Sequence, residues 1–193
     1  MSSLTPSKSP TSSQSPLPSR SKNLQPAQEQ EETHYRIYIP QLDTVAFDPL
    51  DPQKRYHEGI FVQDHGRAGT LFHVTGDIIA PRGMGYQITE DFDPLSSIQF
   101  HAMPFVGWVR KDDYQSGRVD SILRALPTPN KQQGLNFWQK KKDPNEETEM
   151  IWTKENGDPY GPGEPRRPIF KCNEWTHQYA VPALRNAGIL LPD

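Results

Sequence analysis

An α+β fold with an antiparallel sheet is the architecture this sequence predicts, on three observations. Strand-like alternation is confined to residues between Tyr35 and Arg110. Helical spacing appears only later, from Arg118 to Leu126 and from about Asn173 to Asn186. The resulting order of strands, helix, loop and helix segregates the helices from the sheet. The expectation is an antiparallel sheet of four to six strands packed against two main helices.

The first element follows an N-terminal segment of different composition. Residues 1–33 are dominated by Ser, Pro and Gln. Such a stretch buries too little apolar surface to offset its ordering entropy and reads as a disordered tail. Thr5-Pro6, Ser9-Pro10 and Ser15-Pro16 have the form of proline-directed phosphorylation sites, although any Ser/Pro-rich tail contains such pairs by chance. A single domain is expected over 34–193.

Within it, Tyr35, Ile37 and Ile39 alternate with Arg36 and Tyr38, a short strand stopped by Pro40. Residues 41–55 hold Asp48-Pro49 and Asp51-Pro52 and read as loop. Gly59 to Val62 and Thr70 to Thr75 are two strands, with Asp64-His65-Gly66 as the turn. Gly85 to Thr89 is another strand, and Ser97 to Arg110 holds one or two more, interrupted by Pro104. Val119, Ile122, Leu123 and Leu126 share one helix face, and Pro127 ends that helix.

Residues 127–168 are polar, charged and rich in Pro and Gly, and read as a long loop. This loop and the N-terminal tail are the candidate surfaces for a protein partner. In the last helix Trp175, Tyr179 and Leu184 supply an apolar side, and Gly188 suits the end. Pro182 predicts a kink or an early stop.

The composition excludes several function classes. Among 193 residues, 33% are hydrophobic and the formal net charge is -3, so no broad electrostatic case exists for nucleic acid or an anionic membrane. The N-terminus has no apolar run of signal-peptide length, and no stretch approaches the roughly 18 apolar residues of a membrane span. A cytoplasmic protein is the expectation, with the nucleus as the alternative. Gly83-Met84-Gly85 lacks the spacing and the following helix of a phosphate-binding loop, and no cofactor is expected. Lys140-Lys141-Lys142 follows Phe137 and Trp138, but Glu146, Glu147 and Glu149 come at once, which reads as a solvated loop.

The chain contains 1 cysteine, Cys172, which rules out an intrachain disulfide. It stands at the start of the last helix, where the positive end of the macrodipole favours thiolate. One thiol with distant histidines is a candidate thiol active site. The alternative is a small buried hydrophobe, a common fate of free cysteine.

His57 and His73 flank the predicted hairpin. With Asp64-His65-Gly66 as the turn, Gln63 faces Arg67 and His57 faces His73, side by side on one face. A longer loop from Asp64 to Gly69 puts His57 opposite Gly76 and His73 on the other face. The opposed pairing makes one histidine a base and the other its orienter. Zinc on His57, His73, His101 and Cys172 is disfavoured, because close ligand pairs of the C-x-x-C kind are missing. Asp64-His65 reads as solvated turn residues rather than a dyad.

These residues carry a resemblance. His57-Glu58-Gly59-Ile60-Phe61-Val62, then His73, then Cys172-Asn173-Glu174-Trp175, resemble the circularly permuted, papain-like NlpC/P60 superfamily, in particular its lecithin:retinol acyltransferase-like branch. The resemblance implies Cys172 as nucleophile, His57 as base and His73 as orienter, acting on an amide, ester or thioester of an acyl or peptide substrate. Lys171 stands where the superfamily usually has Asn, and Glu58 where an aromatic is usual. The stretches Gly69 to Ile78, Gly107-Trp108-Val109 and Cys172 to Trp175 also resemble an uncharacterised family of small fungal proteins, which implies no established activity. The alternative function is a non-catalytic interaction module that keeps the fold without activity.

Overall fold

A computed structural model describes residues 26–45, 47–140, 143 and 145–192. The expectations for residues 1–25, the three phosphorylation-like pairs included, lie outside the described residues. Pro26–Thr33 was expected to belong to the tail and is instead a short helix, α1.

The fold is α+β, with an antiparallel sheet and few helices. The strands are β1 (His34–Tyr38), β2 (Gln41–Leu42), β3 (His57–His65), β4 (Ala68–Gly76), β5 (Met84–Phe92), β6 (Phe100–Ala102) and β7 (Phe105–Arg110). They form one 7-stranded sheet, one strand beyond the expected range, because Gln41–Leu42, read from sequence as loop, pairs as the short strand β2. The main path runs β5-β4-β3-β1-β7, with β2 between β3 and β6. The C-terminal residues finish the β7 edge: Trp108 and Leu191 exchange backbone hydrogen bonds of 2.9 and 2.8 Å. Gly107 permits this approach, since its φ is +142° and a Cβ there would lie 2.1 Å from the Leu191 carbonyl oxygen.

Strand alternation sorts the two faces. Ile60 and Val62 of β3 and Phe72 and Val74 of β4 join Leu123, Trp175, Leu184 and Ile189 in one buried cluster. Phe61 turns to the other side, towards Tyr38 and Phe92. The helices on the first side are α2 (Lys111–Gln115), α3 (Arg118–Arg124) and a helical run over α4 (Cys172–Glu174), a π-helical segment (Trp175–Ala180) and α5 (Val181–Asn186). Val119 and Leu123 are the buried face of α3.

Pro182 neither stops nor truncates the last helix. The turn before it widens to π geometry, with the Val181 N–H reaching back to the Thr176 carbonyl. That wider spacing absorbs the missing proline N–H and the ring's bulk within the helix, and Pro182 sits in the first turn of α5. Gly188, with φ +67°, then closes the helix as expected.

The 127–168 stretch is not structureless. It holds a two-stranded ribbon of β8 (Gln133–Leu135) and β9 (Met150–Trp152). Polar Gln132 anchors it: its side chain bridges Phe170 through bonds of 2.5 and 2.9 Å, and its backbone N–H reaches the Ile78 carbonyl. Neither strand has the length or alternation that makes a ribbon visible in sequence. No helix among the described residues is long and apolar enough to cross a membrane.

Candidate active site

The β3–β4 hairpin has a different register from the expected one. Its turn is Gly66-Arg67, with His65 opposite Ala68, and a bulge below it resets the pairing to Val62–Thr70 and Gly59–His73. His57 is therefore diagonal to His73 rather than opposite it. The shift amounts to two residues from the expected pairing, so both side chains keep the same face. Diagonal neighbours remain within reach of long side chains, and His57 Nε2 lies 2.7 Å from His73 Nδ1.

Gly59 makes this contact sterically feasible. It lies directly across from His73, and a Cβ there would fall 2.8 Å from the His73 Cβ and 2.7 Å from the Phe72 carbonyl oxygen. Gly59→Ala is expected to cost about 1–3 kcal/mol by overpacking, measurable by urea denaturation. It should also separate the two imidazoles, visible as a change in their NMR titration.

The chain of contacts continues to Thr89 on β5, whose Oγ1 is 3.2 Å from His73 Nε2. Both histidines are held below the ordinary imidazole range. Burial lowers His57, with partial relief from the Glu58 charge. Burial first, and His57 second, bring His73 down to about 4. Both rings are thus neutral at pH 7, and the nitrogen protonated on each is set by its partner.

Cys172 opens α4 and is buried. Its sulfur lies 3.9 Å from the Tyr56 carbonyl oxygen and 3.8 Å from Asn173 Oδ1. Burial pushes the thiol pKa up, opposed by the Glu58 backbone N–H and reinforced by the Glu58 charge. Among the described residues, no hydrogen bond joins Cys172 to either histidine. The structure brings His57 and His73 together on the Phe61 side of the sheet, whereas Cys172 packs on the helix side with Ile60 and Val62. His57, at the end of its strand, and Cys172 both line one cavity of about 260 Å³. His57 reaches that wall as the first residue of β3, immediately after Tyr56, whose carbonyl meets the thiol.

One side of the cavity is apolar, with Ile78, Ile79, Met84 and Met150, and Phe47 stands at it largely exposed. The other side is ionic. Lys171 Nζ is 2.6 Å from Asp48 and 3.5 Å from Asp51, and Arg55 bridges Asp51 at 2.5 Å and Glu174 at 2.7 Å. Lys171 and Gln133 hold the Asp48 carboxyl below its usual range against the effect of burial. These bonds tie the β2–β3 connection to the first turn of α4, where Glu174 also accepts the Lys171 backbone N–H at 2.9 Å. The two Asp-Pro pairs, read from sequence as plain loop, supply Asp48 and Asp51. Acidic residues in that loop and a lysine beside Cys172 were the available signal.

Three further residues escaped sequence reasoning in their present role. Glu58 is buried and accepts hydrogen bonds from Gln41, Asn173 and His177. Thr89 ends the histidine chain. Nothing in spacing alone marks Glu58–His177, since the pair is separated by 119 positions.

The other candidates lie elsewhere. His101 stacks on Tyr56 with centroids 4.1 Å apart. His65 is exposed at the hairpin tip beside Asp64, which takes a 2.5 Å bond from Tyr114. Among the described residues, no group of three or more His, Cys, Asp or Glu side chains is arranged to hold a metal ion.

Residues 42–191 match the sequence model of a family of unknown function (DUF6540). No curated protein and no solved structure matches the chain. The matched span takes in the hairpin, the cavity and the last helix.

Proposed function

The chain belongs to this family of unknown function, and since that membership carries no chemistry, we propose from the site that it is a thiol hydrolase or acyltransferase of permuted papain-like fold. The observation that carries this is the one cavity that Cys172 and His57 both line, with His57 backed by His73 and Thr89 on the far face of the sheet. In the protonation pattern that serves catalysis, His73 donates from Nε2 to Thr89 and accepts at Nδ1 from His57 Nε2–H. His57 Nδ1 is then the basic nitrogen. The order of the chain, sheet first and Cys-bearing helix last, supports the permuted reading.

His57 Nδ1 takes the thiol proton while Cys172 Sγ attacks the carbonyl carbon of an amide, ester or thioester. The carbonyl π pair moves onto oxygen, beside the backbone N–H groups of Cys172 and Asn173 at the start of the helix. Collapse expels the amine, alcohol or thiol, which takes the proton from His57. Water or an amine then cleaves the thioester acyl-enzyme. Because burial raises the thiol pKa and lowers that of His57, the resting pair is neutral, not thiolate–imidazolium. The proton moves only as attack begins, and because alternation along β3 turns the His57 ring to the face away from α4, the sulfur–imidazole contact requires that ring to swing round the head of the strand into the cavity.

The test is the pH dependence of Cys172 alkylation by iodoacetamide, read by mass spectrometry, in wild type and His57→Ala. Assisted by His57, the wild-type thiol should react at neutral pH roughly tenfold faster than in His57→Ala, and an acyl-directed probe should be captured by wild type but not by Cys172→Ser. Labelling indifferent to His57 would end the catalytic proposal.

One observation favours a second reading, a non-catalytic binding module. Cys172 is 8% exposed and its thiol faces two acceptors, Tyr56 O and Asn173 Oδ1, an arrangement that suits an inert thiol. No labelling of the folded protein, with no acyl capture, would select it.

A further inference from the structure

We infer that Glu58 is a positioning residue, whose carboxylate locks the helix bearing Cys172 against the strand bearing His57. The inference rests on the thiol-enzyme reading and goes beyond it, since neither the nucleophile nor the base explains why a carboxylate is buried there. Glu58 is 5% exposed, a costly place for a charge unless it is paired and hydrogen-bonded.

Its partners come from three separate elements. Gln41 Nε2 of β2 donates to Oε1 at 2.8 Å. Asn173 Nδ2, next to the nucleophile, donates to Oε2 at 2.8 Å. His177 Nε2, on the π-helical segment, lies 2.9 Å from the same oxygen. Asn173 Nδ2 also donates to the Tyr56 carbonyl at 3.0 Å, the carbonyl that meets the Cys172 thiol.

Covalently, Glu58 is the neighbour of His57. Through Asn173 it is one residue from Cys172. Alternation along β3 sends the Glu58 side chain to the helix side while the His57 imidazole turns to His73. One carboxylate thus spans the two halves of the site without touching the reacting atoms. With the oxygen pair satisfied, α4 can neither slide along β3 nor rotate about its axis without breaking a charge-assisted hydrogen bond.

Positioning and plain electrostatics predict opposite results for Glu58→Gln. The Glu58 charge opposes thiolate formation, so its removal alone would raise Cys172 reactivity. Loss of the clamp instead removes the part of the reactivity that depends on His57. The experiment measures Cys172 alkylation by iodoacetamide against pH in wild type, His57→Ala, Glu58→Gln and the double variant, with urea denaturation of each. The expected result is that the roughly tenfold effect of His57→Ala shrinks to less than about twofold in the Glu58→Gln background. Half-exposed His177 gives a milder variant that leaves Glu58 charged: His177→Ala should reduce the His57 effect to a value between those two, even if Glu58→Gln does not fold.

An undiminished His57 effect in Glu58→Gln, or in His177→Ala where that is the folded variant, overturns the positioning role alone. Faster labelling in Glu58→Gln with the His57 effect intact assigns Glu58 to electrostatics and also overturns it. No His57 effect in wild type overturns the thiol-enzyme reading, and the positioning role with it.

Discussion

Acidification from pH 7 to about 4 is expected to remove roughly 3 kcal/mol of folding stability through His73 alone. The folded His73 holds its proton only near pH 4, because burial and the neighbouring His57 oppose the charge. Unfolded, it titrates at the ordinary imidazole value of about 6.5. Below that pH the unfolded chain binds the proton and the folded chain does not, so stability is full above about 6.5 and falls as pH drops towards 4. His57 is lowered as well and adds to the loss with the same sign. Urea denaturation at several pH values in this window checks the slope. His73→Gln should flatten it, and pairing that change with His57→Gln should flatten it further, whatever either substitution costs at neutral pH. An unaltered slope in the double variant would mean that the two rings are not a neutral hydrogen-bonded pair. The window lies mostly above the carboxylate range, so Asp48, whose lowered pKa has the same sign, enters only at its acid end.

The histidine pair also marks how far sequence carries. Hydrophobic alternation showed both strands of the hairpin and put His57 and His73 within reach of each other, but the turn was misplaced. Gly66 was correctly seen as a turn residue, yet it takes the first turn position rather than the last, and a bulge corrects the register between Val62 and His65. The displaced turn shifts the pairing by three residues and the bulge takes back one, a net shift of two that preserves the face. A bulge has no hydrophobic signature, so the correct face was reached by a wrong pairing. The last helix was legible from Trp175, Leu184 and Gly188, whereas its continuation through Pro182 was not, because the compensating π turn is a backbone event.

Charges were the least legible. Glu58 stood in the sequence as an acidic residue at the head of an apolar strand, a conflict between local pattern and burial. Such conflicts mark sites where tertiary contacts overrule local preference. Its three donors come from β2, α4 and the π-helical segment, and no local spacing announces them. The Lys171–Asp48 and Arg55–Glu174 bonds join segments more than a hundred positions apart in the same way. The apolar pattern positions elements, and long-range polar contacts then fix how the elements meet at the cavity.

Trp175→Ala is expected to destabilise the fold by about 3–5 kcal/mol and to disorder the Cys172 turn. Trp175 is 0% exposed and packs at the centre of the cluster formed by β3, β4 and the last helix. It stands one turn after Cys172 and contacts Tyr86, with ring centroids 6.0 Å apart. Its removal therefore leaves a cavity under the helix that presents the thiol. Trp175→Phe separates size from chemistry. The indole Nε1 is buried without a hydrogen-bond partner in the structure, so replacing it removes an unsatisfied donor as well as some volume. Those two effects oppose each other, and the cost should be no more than about 1–2 kcal/mol. Urea denaturation gives both energies, and Cys172 alkylation in the folded state reports the helix. In Trp175→Ala the thiol should become accessible and lose its dependence on His57, while in Trp175→Phe both properties should persist. A Phe variant as unstable as the Ala variant would show that the indole N–H is bonded after all. An Ala variant with an unchanged Cys172 would show that the ionic contacts of Lys171 and Glu174 hold the first turn without the tryptophan.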